Sequence, residues 1–168
     1  YIRQPSAPSI TQAKGPRRVT SREGYAILVG RNSRQNEQIT FEMAGADDVI
    51  VVSQKSGIEA GCWGGLLTLG AKARGVAGVV ADGPLRDVDE AIAYDFPVWA
   101  RSLTSLTARG RVVELGTQVP VEIGRVTVQP GDYVLADRSA VIVIAAAEIE
   151  RVLEAAEGIV AKEAAMAK

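Results

Sequence analysis

The chain has 168 residues, 47% hydrophobic but only 5% aromatic, with 17 glycines and a net charge of −1. That length fits one domain burying roughly 70% of its unfolded surface in an aliphatic core, and no run approaches the ~20 apolar residues of a membrane span. Histidine is absent and Cys62 is the single cysteine, which excludes Ser-His-Asp catalysis, histidine zinc sites and an internal disulfide. Catalysis, if present, falls to carboxylates, Arg, Lys, Tyr or backbone amides. The first residues lack the charged-then-apolar pattern of a signal peptide, so the expected location is cytoplasmic.

Charge is uneven along the chain. Residues 1–36 hold seven Lys/Arg against one Glu, whereas the remaining 132 hold 12 Lys/Arg against 19 acids. Residues 1–18 contain Pro5, Pro8 and Pro16 with little periodicity and read as an extended arm. Arg17, Arg18, Arg22, Arg31 and Arg34 are candidate RNA-phosphate contacts, but only Tyr25 and Phe41 lie near them for base stacking, and a solvated basic tail is the plainer reading. Residues 25–29 read as a strand, 30–37 (GRNSRQNE) as a polar loop, and 39–43 as a short helix or strand. Asp47 and Asp48 lead into a strand at 49–52. Cys62, among apolar neighbours, reads as a core thiol rather than a nucleophile.

The most informative stretch is residues 64–87, GGLLTLGAKARGVAGVVADGPLRD. Residues 66–74 are apolar at Leu66, Leu67, Leu69, Gly70 and Ala73 and contain no proline, so they read as a helix entered through Gly64-Gly65. The free N–H groups of its first turn suit a carboxylate or phosphate. Residues 76–81 read as a buried strand closed by an Asp82-Gly83-Pro84 turn. Asp82, Arg86 and Asp87 would then lie beyond the carboxyl end of that strand, where open α/β sheets bind ligands. Carboxylates there suit a hard divalent cation, which needs only one or two of them. An arginine beside them can neutralise charge developing on an oxygen. On spacing alone, a helix-capping Arg-Asp ion pair explains the same residues.

Residues 88–94 predict a short helix and 97–100 a strand, which completes a β-α-β unit. Strands are expected at 112–115, 119–123, 126–128, 133–136 and 141–144, separated by Gly116, Gly124 and Pro130-Gly131, as a meander around a compact sheet or barrel. Residues 147–168 place Ile149, Val152, Leu153, Ala156 and Val160 on one stripe of an amphipathic helix that also carries Glu163.

Several ordered motifs in residues 46–168 (ADDVIVV, WGGLLTLGAKARGVAGVVADGPLRD, DFPVWAR, VPVEIGRVTVQPGDYVLAD and IVAKEAAM) resemble the RraA-like family. That family includes 4-hydroxy-4-methyl-2-oxoglutarate aldolases and relatives with oxaloacetate decarboxylase activity. The resemblance implies an α/β, swivelling β/β/α-type domain with an atypical N-terminal β segment here, assembled as a trimer or hexamer. It implies a Mg2+- or Mn2+-dependent lyase acting on a small 2-oxo acid, with Asp87 as metal ligand. Arg86 would hold the keto oxygen and stabilise a pyruvate enolate, and the loop Gly64, Gly65, Leu66 and Leu67 would take the substrate carboxylate. Asp82, at the strand end, is a candidate only for a place behind the metal ligand, and Glu163 is a weak match to a carboxylate that reaches the metal through water from a neighbouring subunit. Gly65 departs from the aldolases, which carry an acid there; this makes decarboxylation the more credible of the two reactions. The family also contains a ribonuclease-binding inhibitor, so a non-enzymatic interaction protein is the alternative.

Residues 16–44, with the pattern S-x-x-G-Y-x-I-x-V-G-R-N-x-x-Q-N-E-x-I-T-F, resemble instead the NFACT-R RNA-binding domain of fibronectin-binding-protein-like ribosome quality-control factors. Two signatures in one chain imply a chimera, natural or engineered, joined near residues 43–48. Such a chimera could lack a selected activity. The expected organisation is a basic segment at 1–45 and an RraA-like domain at 46–168 within one globular unit.

Overall fold

A computed structural model describes residues 44–167 together with two strands, β1 (Arg17–Thr20) and β2 (Ala26–Val29). These two pair antiparallel, from Arg17 opposite Val29 to Thr20 opposite Ala26. The strand expected at 25–29 is therefore present, and Arg17 and Arg18 lie on its partner. The proline-rich arm before residue 17, the polar loop at 30–37, the element at 39–43, and Arg22, Arg31 and Arg34 lie outside the described residues.

The centre of the molecule is a three-stranded parallel sheet of β3 (Val49–Ser53), β4 (Gly78–Leu85) and β5 (Val98–Leu103), in the order β3-β4-β5. Parallel neighbours need crossovers, and these are α1 (Gly65–Ala73) and α2 (Val88–Ala93). Every residue of the middle strand β4 is buried. The core gathers Trp63, Ala71, Val76, Val79, Ala81, Leu85 and Phe96 around it.

The structure corrects the expected turn at Asp82-Gly83-Pro84. These residues continue β4 to Leu85, and the register against β5 slips between Ala81 and Pro84. Glycine and proline inside a strand are tolerated at such an irregularity, because ladder bonds are interrupted there anyway. Asp82 therefore sits within the sheet, and only Arg86 and Asp87 emerge beyond the strand end.

The second half also differs from the expected meander. Residues 112–115 form no strand; Val113 and Leu115 stand exposed, because apolar alternation does not make a strand without a partner edge. The remaining strands make two separate antiparallel hairpins rather than one barrel: β6 (Val121–Ile123) with β7 (Val126–Val128), and β8 (Tyr133–Ala136) with β9 (Val141–Ile144). Few bonds tie them to the parallel sheet: Ser53 Oγ donates to the Glu122 carbonyl (2.6 Å) and Gly124 N–H to Asp82 Oδ2 (3.2 Å) at the first hairpin, and Trp99 Nε1 donates to the Asp137 carbonyl (2.7 Å) at the second. A short 3-10 turn leads into α3 (Ile149–Met166), none of whose residues is buried. No helix among the described residues is long and apolar enough to cross a membrane.

Candidate functional site

The loop before α1 is stitched along the end of β4. Cys62 N–H donates to the Pro84 carbonyl (2.9 Å), Arg86 N–H to the Trp63 carbonyl (2.9 Å), and Gly61 N–H to the Leu106 carbonyl (2.8 Å). The start of α1 is fixed from inside: the buried indole of Trp63 donates to Thr68 Oγ1 (2.9 Å), and Thr68 Oγ1 donates to the Gly64 carbonyl (3.1 Å). Past the strand end, Asp87 takes a left-handed conformation (φ 57°, ψ 43°) before α2 begins. Asp and Asn adopt that conformation more readily than most residues.

This turn aims Asp87 at α1. Its Oδ2 accepts the Gly65 N–H at 3.0 Å, while Arg86 Nη2 lies 3.6 Å from Oδ1. The helix N-terminus thus holds a carboxylate of the chain itself, as its partial positive charge favours. Gly65 is committed to Asp87. The N–H groups of Leu66 and Leu67 have no acceptor among the described residues and are the free donors of the first turn. The Nε of Arg86 is buried without a hydrogen-bond partner there.

Three glycines make room for this arrangement. A Cβ on Gly61 would come 2.5 Å from Arg86 Cγ, one on Gly64 would come 3.0 Å from Asp87 Oδ2, and one on Gly65 would come 1.8 Å from Glu90 Oε2. The missing side chains at 61, 64 and 65 are therefore replaced in space by Arg86, Asp87 and Glu90. Gly61 and Glu90 were not identified from sequence. Asp87 precedes α2 and Glu90 lies in its first turn, and their meeting with Gly65 depends on how α2 sits against α1.

Asp82, expected near this group, has a different setting. Its Oδ2 pairs with Lys55 Nζ (2.5 Å) and accepts the Gly124 N–H (3.2 Å), and its Oδ1 lies 3.4 Å from Arg101 Nε. The Lys55 bond foremost, then the Gly124 N–H and the charge of Arg101, hold its carboxyl below the usual carboxylate range. Glu163 is exposed on α3, and no side-chain bond among the described residues joins it to Arg86 or Asp87. Burial pushes the Cys62 thiol up to about 11, and its Sγ lies 3.3 Å from the Pro84 carbonyl, the setting of an unreactive thiol.

The donor set suits a hard cation. Among the described residues no three His, Cys, Asp or Glu side chains gather for a metal, which argues against an all-protein cage. A cation that keeps several waters needs one or two carboxylates, and Asp87, with its side chain 36% exposed, is open to solvent beside Glu90.

Comparison with known proteins accords with this architecture. The sequence matches the RraA-like family, Aldolase/RraA, over residues 11–143, an interval that includes the whole of the NFACT-R-like segment. It is 40% identical over 106 residues to an uncharacterized protein of Methanocaldococcus jannaschii, covering 62% of this chain and 50% of that one. It is 33% identical over 114 residues to a Halalkalibacterium halodurans protein provisionally named 4-hydroxy-4-methyl-2-oxoglutarate aldolase, covering 68% and 54%. The chain thus spans about half the length of these two relatives. The crystal structure of Streptomyces coelicolor RraAS2, described as an unusual member of the RNase ES inhibitor RraA protein family, superposes with a TM-score of 0.68 at 25% identity, covering 89% of this chain and 79% of that one. With the family match extending over most of its length and the fold shared with a solved member, the chain belongs to the RraA-like family.

Proposed function

We propose that this chain carries the active site of a divalent-metal-dependent lyase that cleaves a small 2-oxo acid to pyruvate enolate, with oxaloacetate decarboxylation the favoured reaction. The observation that carries the reading is the Arg86–Asp87 pair, delivered past the end of β4 against the N-terminus of α1. The aldolase name of the Halalkalibacterium relative supports it. Asp87 would hold Mg2+ or Mn2+, which supplies Lewis-acid stabilisation of negative oxygen when bound.

The residues of the chain account for the rest. The free N–H groups of Leu66 and Leu67 receive the substrate carboxylate at the positive end of α1. When the bond between C3 and C4 breaks, carbon dioxide leaves and the electron pair spreads from C3 onto the C2 oxygen. The Arg86 guanidinium, its Nε unpaired among the described residues, offsets that charge. Water then returns a proton to C3, giving pyruvate. The same charge develops in retro-aldol cleavage, which in addition needs a base to take the proton of the C4 hydroxyl as that group becomes a carbonyl.

The test is pyruvate release from oxaloacetate with Mg2+ or Mn2+, in wild type beside Arg86→Ala. Release above the rate of metal alone, lost in the variant, is expected; equal rates would refute the lyase reading.

The likeness to RraAS2 favours a second reading, a ribonuclease-binding protein. Binding of a ribonuclease by wild type and Arg86→Ala alike, without lyase activity, would establish it. Assembly into trimers or hexamers belongs to the proposal and is supported by exposed Leu153, Ile159 and Val160 on α3. The family match beginning at residue 11 supports reading residues 11–45 as part of the same unit rather than as a graft.

A further inference from the structure

The space above Gly65 is the least expected feature of the site. The Glu90 carboxylate reaches it from α2, so that any side chain at position 65 would collide with Oε2, and Asp87 Cβ lies 3.3 Å from the same point. The Glu90 carboxylate accepts no hydrogen bond among the described residues, although it adjoins the first turn of a helix. Arg86 pairs with Asp87, and no ion pair among the described residues joins Glu90 to a cation. Placing like charges together is unfavourable unless a cation offsets them.

Resting on the proposed metal site at Asp87, we propose that Glu90 is its second carboxylate, an oxygen donor to the hydrated divalent cation, and that Gly65 exists as glycine to admit it. Positions 65 and 90 compete for one volume. A carboxylate can enter that volume from α1 or from α2, but not from both.

The experiment is titration of the full chain with Mn2+, following free Mn2+ by paramagnetic resonance, with melting curves on the same samples. Glu90→Gln is expected to weaken Mn2+ binding by about tenfold or more. Gly65→Ala keeps every carboxylate but pushes the flexible end of Glu90 aside, and it should produce a comparable loss without lowering the melting temperature. Combining Glu90→Ala, which empties the volume, with Gly65→Asp should restore the binding that Glu90→Ala alone loses, because the carboxylate then enters from α1. Wild-type affinity in both Glu90→Gln and Gly65→Ala, with weakened binding in Asp87→Asn, would overturn the role of Glu90 and leave the Asp87 site standing. Undiminished binding in Asp87→Asn would instead overturn the site itself. Lower melting temperatures with unchanged Mn2+ affinity would reduce Glu90 to a partner of the α1 helix dipole.

Discussion

Asp82 and Asp87 are five residues apart on one strand and its exit, yet their surroundings assign them opposite tasks. Asp82 lies within the sheet, where Lys55, Arg101 and the Gly124 N–H surround its carboxylate and tie β3, β5 and the β6–β7 hairpin to β4. Asp87 stands past the last ladder position, with one backbone donor and one distant guanidinium. A carboxylate with all its oxygens occupied serves the fold, whereas one with spare lone pairs can still take a ligand. Residue type alone does not separate the two cases; the number of committed partners does.

The contrast breaks first at the open site. Asp87→Asn, which keeps a residue suited to the left-handed turn, and Arg86→Ala should each lower 2-oxo acid cleavage by about 100-fold or more while melting near wild type, as steady-state assays with paired melting curves would read. Parallel losses of activity and stability in those variants would erase the distinction between the two aspartates.

The complementary change is Asp82→Asn, which should cost about 1 kcal/mol of stability, because the Lys55 and Arg101 that lose their counter-charge are themselves more than half exposed. Denaturant midpoints measure it. Because the folded Asp82 carboxyl lies below its unfolded value, its contribution is complete above about pH 4 and fades as the pH falls through the folded value. The unfolding free energy of wild type should therefore drop more steeply below that pH than that of Asp82→Asn.

Gly61→Ala sharpens the comparison at the arginine. The new methyl would meet Arg86 Cγ and Cδ at 2.5 and 2.7 Å, so activity should fall about tenfold from misplacement of the guanidinium, visible in kcat. The smallest effect belongs to Cys62→Ala, expected to leave activity unchanged. The wild-type thiol should react with a disulfide reagent at pH 8 only on unfolding, since burial holds it up to about 11.

Much of the parallel core was legible from local pattern. The apolar run before Asp82, the proline-free helix after Gly64-Gly65 and the β-α-β unit through residue 100 all appear where periodicity and glycine placement put them. Four of the five later strands were also marked by their turn residues, with the first of these shortened to Val121–Ile123. Residues 112–115 show the limit of this reading, because an alternating apolar segment is a strand only if an edge is available to pair with it.

Sequence by itself determined which chemistry was possible: no histidine, one cysteine, and a carboxylate and arginine placed after a buried strand. It also determined the succession of elements, since helical and strand periodicities are local properties of the chain. Only the tertiary structure decided that Asp82 belongs to the sheet and Asp87 to the site, and that Gly61, Gly64 and Gly65 give up their side-chain space to Arg86, Asp87 and Glu90. Those relations join residues more than twenty positions apart, and their distances are set by how α1 and α2 pack beside β4, which no local pattern encodes.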